Sequence, residues 1–119
     1  MYVVILAEKF EHFSEYWSPK IVGELNGQYV KLVKLKGEFV WHQHEQEDEL
    51  FLVVRGCLRI KLRDQEVTIN PGEFFIVPKG VEHCPVADEE CHVVLLEPAS
   101  TLNTGNVRYE LTIEHLQWI

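Results

Sequence analysis

The chain has 119 residues, with 11 Lys and Arg against 19 Asp and Glu and a net charge of −8. That length suits one domain, 1–119, with a real core but no second domain. The acidic balance, without a basic cluster, excludes nucleic acid and anionic membrane as natural partners.

No apolar run approaches the ~20 residues of a membrane helix. The N-terminal apolar stretch is too short for a signal h-region and lacks a basic flank. Cys57, Cys84 and Cys91 are odd in number and show no CxxC spacing, which points to a reducing, cytoplasmic setting rather than a disulfide framework.

Leu6, Phe10, Phe13 and Trp17 recur at three- and four-residue steps. This predicts a short N-terminal helical segment, about 8–17, that Pro19 ends and whose aromatic stripe packs on the rest of the domain. From Gln28 onward the pattern is strand after strand, a barrel core over about 28–98. Residues 50–55 and 58–62 flank Gly56 and Cys57 and predict a tight hairpin. In the second of these strands Leu58, Ile60 and Leu62 alternate with Arg59, Lys61 and Arg63, so one face is buried and the other wet. Asn70-Pro71-Gly72 and Pro78-Lys79-Gly80 are strong turn chemistry. Asp88, Glu89 and Glu90 read as a further polar turn between strands, and a last strand is predicted over 107–113 within a tail, 107–119. Punctuation every seven to ten residues marks a closely turned antiparallel, all-β protein, a sandwich or barrel.

The segment WHQHEQEDELFLVVRG, from Trp41, carries the chemistry. Two residues apart on a strand, His42 and His44 share a face at about 6–7 Å. Glu49 lies at an odd offset and joins them only if the chain bends through Glu45, Gln46, Glu47 and Asp48. Taken alone, an HxH pair is more often an exposed or hydrogen-bonded pair than a metal site, and the acidic run reads as a solvated loop.

Wider spacing resembles that of the cupin family. Gly37, His42, His44, Glu49 and Gly56 resemble its first motif, and Gly72, Pro78, Gly80 and His83 resemble its second, G-x5-P-x-G-x2-H. The likeness runs from Gly37 to His83 and, through flanking strands, to about Pro98. Two departures touch only local turn geometry: Gly37 lies one residue closer to His42 than the pattern, and Ala87 stands where the second motif ends in Asn. The resemblance implies a double-stranded β-helix, or jelly-roll barrel, with a short N-terminal helix. It also implies that His42, His44, Glu49 and His83 hold one divalent transition metal. Mixed N/O ligation of this kind suits Mn, Fe, Ni, Co or Zn and disfavours Ca.

With the ligands pointing inward, strand parity assigns Val40 and Glu38, Phe51 and Val53, Val77, Pro85, Val93 and Leu95 to a mostly apolar interior, fit for a small organic ligand. Three functions stay open: a metal-dependent oxygenase or isomerase/lyase, a non-catalytic binding or sensing cupin, and a sugar-phosphate isomerase-like cupin. The last is weakened because only Arg55 comes near inward parity. Leu50, Leu52 and Val54 form an apolar outer face that either the N-terminal helix or a second copy must cover, and a homodimer is expected. Glu45, Glu47 and Asp48 are expected at the barrel mouth in water, and His12, His92 and His115 away from the site.

Overall fold

A computed structural model describes all residues, 1–119, and its regular elements are strands apart from one short helix: α1 (Leu6–Phe10), β1 (Lys20–Leu25), β2 (Gln28–Glu38), β3 (Glu49–Arg55), β4 (Leu58–Leu62), β5 (Glu66–Ile69), β6 (Phe74–Val77), β7 (His83–Pro98) and β8 (Gln117–Trp118). No helix is long and apolar enough to cross a membrane. The architecture is a jelly-roll barrel organised around one long strand. β7 pairs antiparallel with β2 over nearly its whole length. Its first half also carries β4, from Leu62↔His83 to Arg59↔Val86, and its second half carries β3, from Arg55↔His92 to Leu50↔Leu96. β7 thus runs from one sheet of the roll into the other.

This pairing corrects the hairpin expected at Gly56-Cys57. β3 and β4 pair end to end with β7, not with each other, and β3 finds β6 while β4 finds β5. The turn is instead a tight step over β7. A Cβ on Gly56 would lie 2.7 Å from the Glu90 carbonyl oxygen, and its φ of +86° already favours glycine. Asp88, Glu89 and Glu90 form no turn either. They lie within β7, opposite Lys36, where the register slips between Leu35↔Cys91 and Gly37↔Ala87. Such a bulge bends the strand between sheets while its acidic side chains stay in water.

Other boundaries also move. The helix spans only Leu6–Phe10, and Trp17 lies outside it, at φ +58° with its N–H donating to the Lys34 carbonyl at 2.9 Å. β1 is an additional strand. It forms a hairpin with β2 through Asn26 and Gly27, at φ +51° and +80°, the Asn-Gly pair that favours two-residue hairpin turns. No strand forms over 107–113, where the backbone turns repeatedly, and only Gln117–Trp118 pairs, parallel to β1.

Alternation places the core. Val33 and Leu35 of β2, Phe51 and Val53 of β3, Leu58 and Ile60 of β4, Val77 of β6 and Val93 and Leu95 of β7 fill the barrel. Each fully buried side chain of this kind contributes about 1.5–3 kcal/mol. A second cluster lies outside the sheet, where Phe10 and Phe13 pack on Leu32 and Val94, with Leu52 alongside. The N-terminal segment therefore covers part of the apolar outer face. Beyond it, Phe74 and Ile76, paired across from Leu52 and Leu50, remain 61% and 46% exposed.

Candidate metal centre

The chain leaves regular β structure after Glu38 and returns to it at Glu49, and this irregular segment carries both histidines of the HxH pair. His42 is fixed by an isolated bridge to His83: each residue's N–H donates to the other's carbonyl, at 3.0 and 2.9 Å. A directly paired position puts both side chains on one face, and the two rings lie 4.3 Å apart between centroids. The His44 carbonyl accepts from Gly80 N–H at 2.8 Å, which carries the pairing one step further. Glu49 opens β3, one bend beyond the acidic run. That run does more than bend in water: Asp48 accepts from the Lys79 N–H at 2.9 Å, and Glu47 from the Ser100 hydroxyl at 3.1 Å.

The four side chains His42, His44, Glu49 and His83 are all buried, and one potential ligand atom from each lies within 4.8 Å of the others. Nε2 of His44 and Nε2 of His83 both sit 3.4 Å from the same Glu49 Oε1. Two donors bound at ~2.1 Å to one ion stand about 3.4 Å apart at the tetrahedral angle. The Nδ1 atoms of His42 and His83 are tied to the carbonyls of Val40 and Val81, at 2.8 and 2.9 Å. A carbonyl only accepts, so Nδ1 carries the proton and Nε2 is left with its lone pair free. This outer hydrogen bond is the one that orients metal-binding histidines.

Five buried side-chain atoms lack a hydrogen-bond partner: both ring nitrogens of His44, Nε2 of His83, Oε1 of Glu49 and Oε2 of Glu97. All belong to this site or border it. Each such group costs about 1–3 kcal/mol unless something binds it, and a divalent cation satisfies three of the four ligands' orphans at once. The donor set therefore fits a metal.

The electrostatics agree. Burial, reinforced by the like charge of His83, holds His42 down to about 4, so it is neutral and ready to ligate. Burial opposes charge on Glu49, but a proton-sharing contact with Glu97 and the close His44 and His83 rings outweigh it, and its carboxyl stays well below the usual range. Burial and the Glu49 charge push Glu97 well above that range.

A small cavity of about 40 Å³ adjoins His42 and Glu49. Phe51, Pro85 and Leu95 line it as parity suggests, whereas Val53, Val77 and Val93 lie deeper in the packed core. Phe39 lines it in place of Val40, which is half-buried, because alternation lapses once β2 ends. Glu38 also points outward and pairs with Lys61 at 2.7 Å, a second correction: it is still part of β2, beyond the register slip between Leu35 and Gly37, so parity counted back from His42 does not reach it. The remaining walls come from segments that strand parity does not reach: Trp17 and Pro19 before β1, Asn103 after β7, and Glu97. Trp17 stacks on Phe39 at 4.5 Å between centroids. Glu97 had a signal, since it continues the inward parity of Val93 and Leu95. His12 and His115 are exposed, while His92 is buried, stacked on Phe10 and bonded to Glu90 at 2.7 Å.

A jelly-roll barrel with three imidazoles and one carboxylate converging inside it defines a small protein of the jelly-roll β-barrel class, with side chains placed so that they could hold a metal. Comparison with known proteins agrees with that class: residues 29–97 match the Cupin domain, so the chain belongs to the cupin family. Among solved structures it is similar to a cupin-2 domain protein of Shewanella frigidimarina NCIMB 400, with 48% identity, TM-score 0.80, and coverage of 81% of this chain and 94% of that one. It is also similar to protein NMB1881 of Neisseria meningitidis, with 33% identity, TM-score 0.76, and coverage of 82% and 100%. A curated relative, YdbB of Bacillus subtilis (strain 168), is 35% identical over 77 residues; these span 64% of this chain and 62% of the relative's length.

Proposed function

We propose that this protein holds one divalent transition metal (Mn, Fe, Ni, Co or Zn) through His42, His44, Glu49 and His83, and binds or transforms a small, partly apolar organic molecule beside it. The observation that carries the reading is the set of orphaned buried donors aimed at one point. Such an ion supplies Lewis-acid or redox chemistry. The chain's own residues supply the rest. The carbonyls of Val40 and Val81 fix the tautomers, and Phe39, Phe51 and Leu95 keep water from the cavity floor. At ~10–15 Å³ per water, a cavity of about 40 Å³ admits only a few ligand atoms without movement of its walls.

A sugar-phosphate substrate fits poorly. Arg55 is exposed, and the one inward cation, Lys31, is already paired with Glu97. A binding or sensing role needs the same metal and cavity, and differs only in lacking turnover.

The same reading includes a homodimer. Leu50, Leu52 and Val54 with Phe74 and Ile76 form a continuous apolar strip that α1 covers only in part, and a second copy is its occupant. Three cysteines without disulfide partners suit a reducing cytoplasm.

Titration of metal-free protein with Co²⁺ tests the site. One equivalent is expected to produce the d–d absorption of a low-symmetry cobalt centre, and His44→Ala to abolish it. A parent with no such absorption refutes the proposal.

A further inference from the structure

The outer face of the sheet formed by β2, β7 and β3 carries a polar row that the metal centre does not use. Lys34 of β2 pairs with His92 of β7, and His92 pairs with Arg55 of β3. Directly opposed residues project from one face with Cβ atoms about 4.5–5.5 Å apart, so three nitrogen-bearing side chains stand side by side. Their neighbours Val33, Val53 and Val93 fill the barrel, which puts this row on its outside. The N-terminal segment supplies a further wall and completes a cleft of about 370 Å³, with Phe10 and Val54 as its apolar sides. That volume lies in the range of small-molecule pockets, far above the roughly 40 Å³ beside His42. His92 is only 8% exposed and stacks on Phe10 at 4.6 Å between centroids.

The cations of this row are uncommitted, in a chain where carboxylates outnumber them. The ion pairs of the protein use Lys20, Lys31, Arg59, Lys61, Arg63 and Arg108, and leave Lys34 and Arg55 without a carboxylate. Lys34 Nζ donates to the Phe13 carbonyl at 2.6 Å, which occupies one of its three N–H groups and fixes its position. Two carboxylates also line the cleft, Glu90 and Glu11. Both oxygens of Glu90 are engaged elsewhere, Oε1 by the Tyr16 hydroxyl and Oε2 by His92 Nε2, each at 2.7 Å. Glu11 is exposed, where salt and water screen its charge.

We infer that this cleft is a second binding site, on the outside of the barrel, for a small organic anion. The carboxylate or phosphate oxygens of the ligand lie between Lys34 and Arg55, over His92, and its apolar body lies against Phe10 and Val54. Free N–H groups on a lysine and an arginine are the donors that such oxygens take up, and the arginine fork matches them two at a time. The site stands apart from the metal centre and does not depend on it. Of the cleft residues only Val54 belongs to the apolar strip assigned to a second copy.

The test follows the backbone amide signals of the isotope-labelled, full-length protein by NMR, in low-salt buffer free of phosphate. The probes are butanoate, butyl phosphate and butylamine. Saturable shifts of the amides around Lys34, Arg55 and His92 are expected with the anions and none with butylamine, and the tighter anion identifies the head group. Arg55→Gln breaks no hydrogen bond of the structure and is expected to weaken binding ~10-fold, the loss for one hydrogen bond to a charged group. Lys34→Met combined with Arg55→Gln is expected to abolish binding, while His83→Ala leaves it unchanged; the amide spectrum itself shows that each variant is folded. No saturable shift with either anion, an equal response to butylamine, an affinity unaltered in Arg55→Gln, or loss of binding in His83→Ala overturns the inference.

Discussion

The segment after β7 straps the HxH segment in place, and one glycine makes the strap fit. Gly105 sits at φ +57°, and a Cβ there would lie 2.1 Å from the Gln43 carbonyl oxygen and 3.2 Å from Cδ2 of His42. Asn106 bonds Gln43 twice, backbone N–H to the Gln43 carbonyl at 3.0 Å and side-chain Oδ1 from the Gln43 N–H at 2.9 Å. The oxygen that a Cβ would strike is therefore backbone and already held. Gly105→Ala meets two costs: about 1–2 kcal/mol for a side chain in the left-handed region, and about 1–3 kcal/mol for forced displacement in a packed site. At roughly 4 °C per kcal/mol for a domain of this size, a loss of ~3 kcal/mol lowers the melting temperature by ~12 °C. Because the displaced groups include His42, metal retention is expected to fall as well. Gly72→Ala is the control: its φ is +84°, but a Cβ there meets nothing within 4 Å, so only the conformational cost applies. Scanning calorimetry with metal analysis on both variants reads the difference. If Gly105→Ala melts within about 2 °C of Gly72→Ala and keeps its metal, the strap does not position the site.

Glu97→Leu alone leaves Lys31 buried without a partner and is expected to cost ~3–5 kcal/mol, most of it recovered on adding Lys31→Met, as read by urea unfolding. In metal-free protein, His42 is held at about 4 against ~6.5 when unfolded. The unfolded chain thus binds more protons between those values, and the His42 contribution, roughly 3 kcal/mol, is present above pH 6.5 and lost as pH falls toward 4. Glu97 acts in the opposite sense because burial and the Glu49 charge raise its value in the folded state. The His42 part is accordingly read as the difference in pH dependence between the parent and His42→Gln, and a zero difference contradicts it. Phe74→Glu with Ile76→Lys is expected to convert a dimer to a monomer in light scattering without loss of the fold; a monomeric parent sinks the dimer.

The candidate ligands were legible through the spacing of two cupin-like motifs, each of them local in the chain. His42, His44 and Glu49 lie within eight residues, and His83 follows a turn marked by Pro78 and Gly80. Apolar alternation in β3, β4 and β7 likewise places Phe51, Ile60 and Leu95 inside. What escaped depends on partners far along the chain. The step at Gly56 looks like a hairpin until β7 is seen passing beneath it, and the three acidic residues 88–90 look like a turn because a bulge also leaves side chains in water. Asn26-Gly27 was a local signal for β1. Lys31 alternates correctly with Val33 and Leu35 but carries a charge, so its burial makes sense only once Glu97, 66 residues away, supplies the counter-ion. Trp17, Pro19 and Asn103 reach the cavity from irregular segments where no periodicity applies.

The central claim is that His42, His44, Glu49 and His83 act together to hold an ion. The most direct measurement is the metal content, by mass spectrometry, of the purified protein beside His42→Ala and His83→Ala. One equivalent of a transition metal in the parent and almost none in either folded variant is the result this geometry predicts. A parent that stays metal-free after incubation with Mn, Fe, Co, Ni and Zn, with both variants equally stable, contradicts it.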